Sequence, residues 1–231
     1  MDEKTQGWIN LYKPVGMSSF SAIYKIKKNF KINKIGHAGT LDPNAEGILP
    51  IAINKTTKLI PFVSSNLKKY YFKIKWGEQT STDDSEGEVL EYSNKIPTEE
   101  EINKIIDFFL GYQDQIPPKA SAVKVNGKRA YAVLRNNKNF ALDSKKVFLK
   151  SFSYICSNKN TSSFVIECGK GFYVRSLARD IAFKLGTYGH IIELKRTKVG
   201  NFGEKSSILL DDILKIRQSE FEFNCIHSSI S

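Results

Sequence analysis

The sequence predicts an α+β fold, with a mixed, mainly antiparallel sheet and helices on its faces. Strand-like segments outnumber helical ones and mostly follow one another directly, a pattern that favours hairpin connections over helical crossovers. The segment "KKYYFKIKWG" at 68–77 alternates strictly, placing Tyr70, Phe72, Ile74 and Trp76 on one face and Tyr71, Lys73 and Lys75 on the other. Helical periodicity is confined to a few stretches with start and stop signals, separated by strands.

In chain order, "GWINLYKP" reads as a short strand ending at Pro14. "SSFSAIYKIKKNF" follows as a helix capped by Ser18 or Ser19, with Phe20, Ile23, Ile26 and Phe30 on its apolar side and Lys25, Lys27, Lys28 and Lys31 facing outward. "ILPIAIN" is a compact apolar strand and "TTKLIPFV" a short helix. After the alternating strand, "STDDSEGEVLEY" is a turn leading into a further strand. "PTEEEINKIIDFFLGY" is a helix with Thr98 and Glu101 as a capping box, a stripe of Ile102, Ile105, Ile106 and Phe109, and a stop at Gly111. Asn126-Gly127 marks a turn between a strand and a helix. "KKVFLKSFSYI" and "SSFVIECG" form a strand pair, and "FYVRSLARDIAFKLG" is a helix that ends at Gly186. "HIIELKRTKVGNF" is expected as the last strand and "SSILLDDILKI" as a closing helix.

With 231 residues and 41% hydrophobic content, the chain can bury a real core, and disorder is not the expectation. Lys and Arg number 35 against 24 Asp and Glu, a formal charge of +11 spread along the chain. That excess points to a polyanionic partner, nucleic acid above all, with plain solubility as the alternative. The polar start "MDEKTQGW" lacks the features of a secretory signal and no apolar run reaches membrane-spanning length, so no membrane partner and a cytoplasmic location are expected. Cys156, Cys168 and Cys225 have neither metal-ligand nor redox spacing, and buried free thiols are expected.

The stretch "GHAGTLDPNAEGILP" at 36–50 holds one aspartate, Asp42, in a loop whose glycines and prolines hold side chains in set directions. Taken alone, Asp before Pro is more often a turn former that bonds its own backbone. "CGKGFYVRSLARD" lacks the glycine spacing and Lys-Ser/Thr ending of a phosphate loop, but it places Arg175 on the first turn of a helix, where a surface or phosphate contact is the plainer role. His37, His190 and His227 form no ligand motif, and no nucleophile elbow or papain-like cysteine context occurs. A carboxylate, an arginine and aromatics remain, an inventory suited to chemistry on a base or sugar without a cofactor.

Four segments in order, "GHAGTLDPNAEGILP", "KKYYFKIKWGEQTSTDDSEGE", "IPPKASAVKVNGKRAYAVLR" and "GKGFYVRSLARDIAFKLG", resemble the TruB-type tRNA pseudouridine synthases, from about Gly7 to about Phe202. The resemblance implies a pseudouridine synthase catalytic fold with a thumb-like RNA-gripping insertion at about 117–146. It implies isomerisation of uridine 55 in the T loop of tRNA, by base flipping and an aspartate-dependent rearrangement of the glycosidic bond. Asp42 matches the catalytic aspartate, Tyr70 the tyrosine that stacks on the target base, and Arg175 the arginine paired with the aspartate. Leu194 matches an apolar pocket contact and His37 the histidine that helps hold the flipped nucleotide. Lys13, Tyr173, Lys128 and Arg129 are further implied substrate contacts.

The implied isomerisation breaks the bond from sugar to uracil nitrogen and rejoins the base through carbon, with no redox step, so neither a metal nor another cofactor is expected. An ionised carboxylate in a dry site needs a guanidinium partner, because desolvation alone would favour its protonated form. Tyr70 also fits a plain core tyrosine by its alternation. The lysines at 25–34, and Lys124, Lys128, Arg129 and Arg135, suit capture of the T arm, with an ordinary solvated face as the lesser alternative for each cluster. Only about thirty residues follow Gly200, too few for the PUA barrel carried by many relatives, so the expected arrangement is a catalytic domain at 1–216 and a tail at 217–231. "NKTTK" at 54–58 departs from the more usual "GxATK". A monomer acting on free tRNA without guide RNA is expected; a noncatalytic tRNA-folding module and a guide-dependent rRNA-modifying relative are the competing expectations.

Overall fold

The computed structural model describes residues 5–121 and 142–216, with the backbone of 124–125 and 128–129 between them. The first strands and helices are β1 (Gly7–Lys13), α1 (Ser19–Asn29), β2 (Ile35–His37), β3 (Ala45–Ile53) and, after a 3-10 turn at Asn54–Leu59, α2 (Ile60–Ser65). Next come β4 (Lys68–Trp76), β5 (Glu78–Thr80), β6 (Val89–Tyr92), α3 (Glu99–Ile105), β7 (Gly111–Gln115), β8 (Lys124–Val125) and β9 (Lys128–Arg129). The chain continues through β10 (Lys145–Asn158), β11 (Thr161–Cys168), α4 (Val174–Lys184), β12 (Gly189–Val199), β13 (Phe202–Gly203), β14 (Ile208–Leu209) and α5 (Leu210–Lys215). The residues group into two compact units, one made of the chain up to Tyr70 and from Leu194 onward, the other of Tyr71–Glu193.

In the first unit β3 is central. β1 runs antiparallel along one edge, from Gly7 opposite Ile53 to Lys13 opposite Gly47. The other edge is shared: β12 pairs in parallel with the start of β3, Leu194 beside Ala45, and β2 pairs antiparallel with its end, His37 beside Ile51. A strand with neighbours on both edges and packing on both faces must be apolar throughout, and Ile48, Leu49, Ile51, Ala52 and Ile53 are all fully buried. β14 adds to β1 in parallel, so β12 is followed by two further short strands where a helix alone was expected.

Ser18 caps α1, its hydroxyl accepting the Ser21 amide. The helix buries Ala22, Ile23 and Ile26. Phe20, expected on that side, is instead 71% exposed. At about 100° per residue the direction shared by Ala22, Ile23 and Ile26 lies roughly a third of a turn from Phe20, and the small Ala22 takes the place beside the core.

In the second unit the first half of β12 is followed across the sheet by β4, β11, β10 and β7, with antiparallel pairing of β10 to both of its neighbours. The predicted alternation holds: Phe72, Ile74 and Trp76 are buried, and the Trp76 indole donates to Ser162 Oγ at 2.8 Å. The Thr98–Glu101 capping box forms, but α3 tightens into a 3-10 turn at Ile106–Phe109, leaving Ile105 and Ile106 half-buried. Cys168 is buried, whereas Cys156, expected to be buried, is exposed on β10. β8 and β9 pair as a short antiparallel ladder, Lys124 opposite Arg129. The helix expected after Asn126-Gly127, Arg135, Cys225 and the tail from 217 lie outside the described residues.

Candidate active site

The connection from β2 to β3, residues 38–44, carries Asp42, and it is fastened to the rest of the first unit on both sides of that residue. Before it, Ser19 Oγ accepts the Leu41 amide at 2.9 Å and donates to the Leu41 carbonyl at 3.0 Å. After it, the Pro43 carbonyl accepts from the Gly16 amide at 2.9 Å and from Lys13 Nζ at 3.3 Å. Asp42 itself is half-buried, and its carbonyl closes a turn by accepting the Ala45 amide at 3.1 Å.

A second anchor comes from β12. The Arg196 side chain is 1% exposed; its Nε donates to the Ile48 carbonyl at 2.7 Å, Nη2 to Gly39 at 2.9 Å and Nη1 to Thr40 at 3.4 Å. One planar guanidinium therefore ties the loop to the strand that follows it. Gly47 makes the close approach possible, since it has φ +109° and a Cβ there would overlap the Arg196 carbonyl oxygen.

Lys13, expected as a substrate contact, is fully buried, with its ammonium on the carbonyls of Pro14 (2.8 Å), Met17 (2.7 Å) and Pro43. Burial pushes its pKa down to about 8; attraction to Asp42 opposes the fall, and Arg196 adds to it. The ammonium thus supports the loop from below and sits within electrostatic reach of the Asp42 carboxylate. His37 Nδ1 is buried with no hydrogen-bond partner among the described residues. Burial lowers the imidazole pKa, the Arg196 charge lowers it further, and a backbone contact at Gly39 opposes both. His37 is therefore neutral at pH 7. Tyr70 is buried on β4, and half-buried Leu194 lies beside Ala45, three residues after Asp42.

Arg175 and Tyr173 belong to the second unit. Tyr173 is the N-cap residue of α4, and Gln115 clamps its backbone, Oε1 accepting the amide at 2.8 Å and Nε2 donating to the carbonyl at 3.0 Å. Two residues on, the buried Arg175 donates Nη1 to Asp84 Oδ2 at 3.1 Å and to the Thr82 carbonyl at 3.0 Å, and Nη2 to the Ala120 carbonyl at 3.0 Å. One helical turn later Arg179 holds Asp83 Oδ2 at 2.8 Å. Burial raises the Asp83 pKa, while the charges of Arg179 and Arg175 draw it back down. The "TDD" turn and the i, i+4 arginines of α4 thus form one ionic frame that aims the Arg175 guanidinium.

Of the residues singled out in the sequence, Lys13, His37, Asp42, Tyr70 and Leu194 share the first unit, and Tyr173 and Arg175 the second. The side chains of Lys128 and Arg129 lie outside the described residues. Ser19, Arg196, Gln115 and the Asp83–Asp84 pair were not anticipated. For the acidic pair, two adjacent aspartates upstream of two arginines at helical spacing were the available signal.

A family model described as TruB family pseudouridylate synthase (N terminal domain) matches residues 27–174, well over half of the chain. The chain belongs to the TruB family. A second model, tRNA pseudouridylate synthase B C-terminal domain, matches 175–222. Among curated TruB relatives, the tRNA pseudouridine synthase B of Ehrlichia ruminantium (strain Gardel) is 48% identical over 210 residues, covering 90% of this chain and 71% of the relative. That of Sinorhizobium medicae (strain WSM419) is 45% identical over 216 residues, 94% of this chain and 70% of the relative. A solved structure, the crystal structure of a Cbf5-Nop10-Gar1 complex, aligns with a TM-score of 0.72 at 26% identity, covering 98% of this TruB chain. The chain spans 57% of the length of that protein.

Proposed function

We propose that this TruB-family chain acts on tRNA in the cytoplasm, converting uridine 55 of the T loop to pseudouridine, with Asp42 as the catalytic carboxylate. The uridine-to-pseudouridine isomerisation is the activity of the family. The observation that carries the assignment to Asp42 is the fastening of Leu41 and Pro43 on either side of it, which holds the main chain that bears this carboxylate. Holding a reacting group in its attack geometry removes the orientational cost from the chemical step.

Arg175 matches the arginine that the family resemblance pairs with the catalytic aspartate, and within its own unit Asp84 holds that guanidinium in place. Tyr70 supplies the flat surface on which the extruded uracil stacks, worth about 1–3 kcal/mol. Leu194 walls the pocket, and neutral His37 holds the flipped nucleotide without adding a proton. Lys13 positions the loop through its bond to the Pro43 carbonyl.

The test is Asp42→Asn on a T-arm stem-loop supplied without any guide RNA. The expected result is loss of pseudouridine formation with tRNA binding and the melting temperature retained. Full turnover by the variant, or wild-type turnover only when a guide is added, would overturn the assignment.

A further inference from the structure

The exposed side of α1 has an unusual composition for a helix that already buries its apolar stripe. Phe20 is 71% and Tyr24 55% exposed, and their rings lie nearly parallel, 20° apart with centroids 6.2 Å from one another. At about 100° per residue, Phe20, Tyr24, Lys27 and Lys28 fall within roughly a 100° arc of the helix. Neither lysine forms an ion pair among the described residues. These rings do nothing for the core, which Ala22, Ile23 and Ile26 serve from the other side.

We propose that Phe20 and Tyr24, with Lys27 and Lys28, form a stacking platform for an unpaired nucleotide of the RNA substrate other than the target uridine. This rests on the RNA-modifying activity assigned above. Open aromatic faces beside uncompensated cations match sequence-tolerant binding of single-stranded nucleic acid, with rings against bases and ammonium groups against phosphates. A protein partner fits less well, because interface cores are depleted in lysine. The placement also suits a substrate reaching Asp42: Ser19, next to Phe20, grips Leu41, so the platform begins beside the catalytic loop. It then runs away from the loop for about 6 Å to Tyr24 and about 12 Å to Lys28.

The experiment measures Kd and KM for an unmodified tRNA transcript with the full chain and with Phe20→Ala, Tyr24→Ala and the double variant. Each truncation is expected to weaken binding by about 5- to 150-fold, with the loss carried by KM. Phe20→Tyr, which keeps a ring, should stay near wild type, as should Phe62→Ala, an equally exposed ring on α2. Lys27→Gln with Lys28→Gln should reduce the salt slope of log Kd by about 1 per lysine. Unchanged Kd in the double ring variant overturns the platform, as does an equal loss on Phe62→Ala, or a wild-type dimer that dissociates when the rings are removed. The two assignments fail separately. Wild-type protein that binds tRNA through these rings but forms no pseudouridine sinks the activity alone, while turnover with ring-independent binding sinks the platform alone.

Discussion

Arg196→Lys keeps the positive charge of the buried anchor but removes its fork. The guanidinium makes two bonds shorter than 3.0 Å, to Ile48 at 2.7 Å and Gly39 at 2.9 Å, and a weak third to Thr40 at 3.4 Å. Charge-assisted bonds of this kind contribute about 1.5–3 kcal/mol each, so the two strong ones together are worth about 3–6 kcal/mol. A lysine ammonium at this position can satisfy one of the two carbonyls, and the other is left buried without a donor. The expected loss of stability is therefore about 1.5–3 kcal/mol, which for a chain of this size lowers the melting temperature by about 3–12 °C. Because the loosened segment carries Asp42, single-turnover pseudouridine formation should fall as well, at temperatures where the variant is still folded. Thermal unfolding by circular dichroism and a rapid-quench isomerisation assay read the two effects. A variant that melts within 1 °C of wild type and turns over at the same rate would refute the claim that one guanidinium orders the loop.

Ser19→Ala removes both bonds to Leu41 in a buried site, and each unpaired main-chain group should cost about 1–3 kcal/mol, visible as a lower denaturant midpoint with the cap at Ser18 intact. Gly47→Ala places a side chain at φ +109° against the Arg196 carbonyl; strain alone should cost about 1–3 kcal/mol, and soluble yield and melting temperature should both drop. The folded-state pKa of His37 lies below its ordinary 6.5, so the folded state binds fewer protons than the unfolded one. Stability should therefore fall as pH drops below about 6.5, and His37→Gln should flatten that part of the profile in urea titrations between pH 5 and 7.

The two-residue alternation of β4, the Ser18 cap, the Thr98–Glu101 box and the mainly antiparallel order of strands were legible in the sequence, because each depends on residues a few positions apart. The motif at 36–50 singled out Asp42 only through its resemblance to the TruB family, since an Asp-Pro pair taken alone is more often a turn former. Which of two adjacent serines caps the helix and which grips Leu41 was not legible, because both have the same local chemistry. Nor was the exposure of Phe20, which depends on how the whole apolar arc of α1 meets the sheet.

The amino-acid sequence by itself determined most of the strands and helices, through local propensity and spacing, and pointed to the Asp42 loop through its resemblance to the TruB motif. Only the tertiary structure decided what immobilises that loop. Arg196 reaches Gly39 across 157 positions, and Gln115 clamps Tyr173 across 58. In both cases a side chain bonds a main-chain group, and since every residue offers the same carbonyl, nothing in the partner's identity announces the bond. Proximity in the folded chain selects it.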